Sequence, residues 1–88
     1  MDIISLEEML WHYVSRMNLA IENIEKQKKD LQELIMLLEE SYKTEVGNKM
    51  KEKLIDVSEQ TEKVQTHFED GLYFLRKEIN ELEEFVVL

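Results

Sequence analysis

From Ile3 onward, apolar residues return at alternating third and fourth positions. Ile3, Leu10, Met17, Ile24, Leu31 and Leu38 lie seven apart. Val14, Ile21, Ile35 and Tyr42 fill the complementary positions, with Glu7 and Lys28 as polar interruptions. A heptad seam keeps one stripe of a helix turned toward a neighbour. Sustained over about forty residues at ~1.5 Å each, it predicts a helix roughly 60 Å long. Ser5, with Glu8 three residues on, has the capping-box spacing of a helix start. A second run follows: Met50, Leu54, Val57, Thr61, Val64, Phe68, Leu72, Leu75, Ile79, Leu82 and Val86. Its spacing alternates until Phe68, where two fours in succession read as a stutter that relaxes the supercoil. Gly71 falls inside that stutter, marking either a close helix crossing or an ordinary surface glycine.

Between the two runs lies "YKTEVGN". Gly47 suits the left-handed residue that closes a helix, and Asn48 or Thr44 suits the cap of the next. Folding back lets each seam cover the other, which a marginal helix needs more than length. The chain therefore reads as one all-α domain over 1–88. Its fold is an antiparallel, coiled-coil-like hairpin: helix 1 about 3–42, a turn about 43–48 containing Gly47, and helix 2 about 49–86. The seam is also broad. Leu6, Tyr13, Ala20 and Leu34 form a second apolar column, and Ile4 and Trp11 lie on the opposite flank. One neighbour covers only a narrow stripe, so the width predicts a four-helix bundle completed by a partner or by a second copy.

Composition narrows the function. There is no proline, only two glycines, and a surplus of straight-chain helix formers. Eleven basic residues against twenty acidic ones give a net charge of −9, which repels phosphate backbones and anionic membrane surfaces. Neither nucleic-acid binding nor membrane insertion is expected. The longest apolar run, Leu34 to Leu38, is far shorter than a bilayer span, and "MDIISLEE" has no cleavable hydrophobic stretch. The absence of cysteine excludes thiolate metal sites and disulfides and fits a cytoplasmic setting. His12 has Glu8 nearby and His67 has Asp70 and Lys63, but no inward Glu-x-x-His pairs occur as helical metal sites require. With no activated serine and no glycine-rich phosphate loop, the expectation is a non-enzymatic protein without cofactors.

What remains is surface for a protein partner. Leu6, Leu10, Trp11, Tyr13, Leu34, Phe68 and Leu72 are the candidate partner-binding residues. Trp11 is read either as an interface anchor or as a cap on the hairpin's own core. The segment Phe85 to Leu88 is expected to pack against it. Phe74 lies off the seam on a stripe with Glu78, Glu81 and Phe85, as an interface residue or a lone exposed aromatic.

An acidic hairpin of this length with a mid-chain glycine turn resembles the WXG100 (ESAT-6-like) proteins, above all the small helical partners of LXG toxins. Where that family carries Trp-x-Gly, this chain reads Glu45-Val46-Gly47, so the glycine alone matches. The family's export signal, an aromatic followed four residues later by an acid, is approximated by Phe74 and Glu78. The resemblance implies a targeting or chaperone-like partner of an LXG toxin, alongside a second small helical protein, with export by type VII secretion. Two alternatives stand beside it: a homodimeric coiled-coil scaffold, and an acidic inhibitor that mimics nucleic acid. Against the latter, the acids alternate with lysines rather than forming phosphate-like rows.

Overall fold

In a computed structural model, which describes residues 2–87 and only the backbone of 86 and 87, the chain is a hairpin of two helices. Helix α1 spans Ile3–Ser41 and α2 spans Glu45–Val87. The molecule measures 66 × 17 × 15 Å, so its length is that of one of its two helices laid beside the other.

Helix α1 starts at Asp2, three residues before the expected Ser5. The Asp2 Oδ1 accepts the Ser5 backbone N–H at 2.7 Å, and its carbonyl accepts the Leu6 N–H at 3.1 Å. The hydrogen bonding from Ser5 favours the carboxylate and holds the Asp2 pKa below its ordinary value. Ser5 is thus a bonded residue of the first turn rather than the cap. The α1 seam follows the heptads as read, with Val14, Ile24 and Leu38 buried, but it ends at Leu38. Tyr42 is exposed and closes the helix, in a non-helical conformation, by donating its N–H to the Leu38 carbonyl at 3.1 Å.

The turn is shorter than the sequence suggests. Residues 42–44 make the connection, and Gly47 lies in the first turn of α2. No glycine has positive φ, so Gly47 does not close α1 in the left-handed conformation. Thr44 caps α2: its Oγ1 accepts the Gly47 N–H at 3.0 Å and its carbonyl accepts the Asn48 N–H at 2.9 Å. Glycine is required for space. A Cβ at position 47 would overlap the Tyr42 carbonyl oxygen and come within 3.1 Å of its carbon. The tight reversal depends on that close approach of backbone to backbone.

The α2 seam departs from the apolar pattern. The residues turned toward α1 are Lys51, Leu54, Ser58, Thr61, Gln65, Phe68, Leu72, Leu75, Ile79 and Leu82, while Met50, Val57 and Val64 are exposed. This set alternates threes and fours without a break, so the stutter does not exist. The heptads are continuous, but Ser58 and Gln65 occupy inward positions that apolar residues were expected to fill. Gln65 is 8% exposed and organises a polar layer. Its Oε1 accepts from Lys28 Nζ at 3.0 Å, and its Nε2 donates to Glu69 at 2.8 Å, while Lys28 also pairs with Glu62. No buried side-chain polar atom among the described residues lacks a partner, the condition under which a buried network specifies pairing without a large penalty. At Gly71 the only neighbour a Cβ would meet is the Met17 methyl group at 2.7 Å, the tip of a flexible side chain rather than the backbone of α1. Ile79 is the fully buried anchor of the hairpin.

Candidate protein-interaction face

With the register fixed, the residues beside the seam sort onto two long faces. On the first, here called the front, α1 contributes Leu6, Tyr13, Ala20, Gln27, Leu34 and Ser41. Helix α2 contributes Met50, Val57, Val64, Gly71, Glu78 and Phe85. Glu78 alone among these is charged. Shallow depressions run along this face between the helices. One joins Gln27, Leu31 and Leu34 to Val57 and Thr61, a second joins Ile24 to Val57 and Val64, and a third joins Leu6 and Leu10 to Phe74, Glu78 and Phe85. Val57 and Val64 are 48% and 45% exposed. β-Branched side chains held half open in a row form apolar surface with no helix of this chain to cover it.

The second face, the back, is acidic. Its inner columns hold Glu25, Glu39, Glu62, Glu69 and Glu83 against Arg76, with the neutral Asn18 and Gln32 and three apolar residues, Ile4, Trp11 and Ile55, between and beyond them. Seam lysines reach into it, with Lys28 pairing Glu62 and Lys51 Nζ 3.7 Å from Glu39 Oε1. At the open end Glu7 and Glu83 face each other, and the hydrogen bond that a protonated Glu83 can donate to Glu7, the loss of some water and the repulsion between the two push the Glu83 pKa up. The net charge is therefore not spread evenly. The front rim has Arg16 and Lys53 against Asp30, Glu78 and Glu81, close to balance, and the excess acid lies behind.

The candidate partner residues divide accordingly. Leu6, Tyr13 and Leu34 stand on the front, and Leu10 forms the floor of its third depression. Phe68 and Leu72 lie half-buried in the seam against α1. Trp11 is 45% exposed on the back edge beside Ile4, away from the other candidates. Phe85 turns to the front with Leu6 and Leu10 rather than packing on Trp11. The side chains of 86–88, which complete that expectation, lie outside the described residues. Phe74 and Glu78 come together one turn apart, in the same depression as Leu6 and Leu10. Met50, Val57 and Val64 were missed as surface because apolar residues at near-heptad spacing were assigned to the seam. The signal that finds them is the unbroken alternation through Ser58 and Gln65.

Among the described residues no group of His, Cys, Asp or Glu side chains is placed to hold a metal ion, and no helix is long and apolar enough to cross a membrane. His12 stacks edge-on against Tyr13 with ring centroids 6.4 Å apart. No family model matches the chain, and neither does any curated protein or solved structure.

Proposed function

We propose that this chain is a non-enzymatic interaction protein that lays its front against the helical domain of a larger protein and completes a four-helix bundle with it. The observation that carries this reading is the front itself, an apolar face about as long as the molecule with a single charge among its positions. Magnitude supports it. The accessible surface is 7065 Å², whereas a compact monomer of this mass exposes roughly 5,500 Å². The excess of roughly 1,500 Å² is about twice the ~800 Å² that one partner contributes to a standard protein interface.

Following the resemblance of the sequence, the partner we propose is the helical domain of a type VII-secreted LXG toxin, for which this chain acts as a targeting or chaperone-like subunit exported with it or left behind. The test is co-expression with the helical domain of an LXG toxin encoded beside it, followed by size exclusion and sedimentation of the chain alone. The expected result is a complex of fixed stoichiometry and a monomeric chain in isolation. A chain that forms a stable dimer by itself and ignores the toxin domain overturns the reading in favour of a homodimeric scaffold.

A further inference from the structure

The open end of the front differs from the rest of it. Leu10, Leu75 and Leu82 form a half-buried apolar floor, Phe74 and Phe85 stand as walls 58% and 67% exposed, and Glu78 and Glu81 line the rim of a depression of about 460 Å³. On α2 the two phenylalanines and two glutamates fall at steps of four, three and four residues, which places all of them on one side of the helix. Among the described residues neither Glu78 nor Glu81 makes an ion pair. The chain's cations on that stretch of α2, Arg76 and Lys77, sit at heptad positions on the back and outer sides.

We infer that this depression receives an arginine side chain presented by the partner's helix. The assignment rests on the front being a docking face, as proposed above, and it names the chemistry of one contact there. A purely apolar occupant would cover the floor but strip water from the Glu78 carboxylate without replacing its hydrogen bonds, which is strongly unfavourable. A bare ammonium would satisfy the carboxylates and leave the floor empty. Arginine meets both demands: its aliphatic stem packs on the leucines, its planar head stacks on a phenylalanine face, and its N–H fork reaches a carboxylate bidentately. It also gives Phe74 and Glu78 a task in holding the partner instead of standing clear of it. The source is another protein, because this chain's own front-rim arginine, Arg16, lines a separate dent on the outer side of α1.

The test uses the isolated chain with two small probes, N-acetyl-arginine methylamide and its norleucine counterpart, titrated while the aromatic resonances of Phe74 and Phe85 and the carboxyl resonances of Glu78 and Glu81 are followed by NMR. The arginine probe is expected to shift these resonances and bind about fivefold more tightly than norleucine, a preference that raised salt weakens. The double variant Glu78→Gln, Glu81→Gln is expected to abolish the preference with helicity unchanged. Equal response to the two probes, or a preference that survives the double variant, overturns the inference while leaving docking on the front intact. Self-association of the chain that is lost in Arg16→Gln also overturns it, by making a second copy the source of the arginine. A failure to bind toxin domains, with the arginine preference present, would instead strike only the proposed function.

Discussion

The two long faces of this hairpin flank one seam yet differ in their proportions of apolar and acidic residues. Beside the seam on the front stand Leu6, Tyr13, Leu34, Val57 and Val64; beside it on the back stand Glu25, Glu39, Glu62, Glu69 and Glu83. A hairpin that only had to fold would be expected to treat its two solvent faces alike, because the seam does not distinguish them. The back behaves as solvated surface, and two of its acids find cations within the molecule, Glu62 in Lys28 and Glu39 in Lys51. The front has no such internal complement. The difference teaches that most apolar residues beside the seam gather on one side of the hairpin and most acids on the other, a division that the pairing of the two helices does not itself require.

The largest expected effect comes from breaking what the faces share. Ile79 is fully buried, and Ile79→Ala should cost about 2–5 kcal/mol. For a small domain of marginal stability that is enough to unfold it, and circular dichroism should show an isolated chain with little helix at room temperature. Retained cooperative melting near the parent midpoint would mean that the seam is not the source of stability. Next comes the front alone. The pair Val57→Glu, Val64→Glu should change stability by less than about 1 kcal/mol, since both positions already meet water. The same pair should weaken binding to a helical partner domain about hundredfold or more, by placing unpaired charge in the interface. Ile55→Glu, the matching change on the back, should leave binding unaltered. Equal losses from front and back, measured by calorimetric titration, would erase the distinction between the faces.

The fold was legible in the sequence to the extent that apolar spacing and inward position coincide. In α1 they coincide almost throughout, from Leu10 to Leu38, so the seam, length and helical class follow from the heptads. In α2 they separate. Val57 and Val64 sit one position away from Ser58 and Gln65, and a reading that follows hydrophobicity takes the valines inward and then needs a stutter to recover the register at Phe68. The structure keeps the register and accepts polar residues inside, because a two-helix seam is half open and a glutamine there still reaches Lys28 and Glu69. Gly47 was legible as a feature of the turn, but not its task, since crowding by the Tyr42 carbonyl depends on a backbone path that no local spacing reveals. Of the candidate site, Leu6, Tyr13 and Leu34 could be found from their column, whereas assembling Phe74, Glu78 and Phe85 with Leu10 required the register of one helix on the other.

The polar layer gives a smaller, opposite-signed test of the same separation. If Gln65 sets pairing rather than supplying stability, Gln65→Leu should stabilise the fold by on the order of 1 kcal/mol and raise the melting midpoint, because an apolar residue there gains burial while Lys28 keeps Glu62. A lowered midpoint in thermal melts would show that the Lys28–Gln65–Glu69 network is itself a stabilising element.

The smallest effect belongs to the back at the open end, where acid faces acid. Glu83 has its pKa raised above the ordinary 4.5 by sharing a hydrogen bond with Glu7 and by repulsion from it. A carboxyl group whose folded pKa is raised disfavours the fold when ionised, so at neutral pH the pair loosens the ends of α1 and α2. As pH falls through the raised value toward 4.5 the folded state takes up a proton first, and the open end tightens. Asp2 opposes this only lower down, because its depressed pKa keeps the α1 cap intact until pH falls below about 3.8. Amide hydrogen exchange of the last turns of α2, corrected for the intrinsic pH dependence of exchange, should therefore slow between neutral pH and about 4.5 in the parent chain. In Glu83→Gln it should be slow already at neutral pH and flat across that window, because the substitution removes the charge and keeps a hydrogen bond to Glu7. Both surfaces are exposed, so the change should be confined to fraying and leave the global midpoint nearly still. A parent chain whose end frays more as pH drops through this window would show that the Glu7–Glu83 pair does not govern the open end.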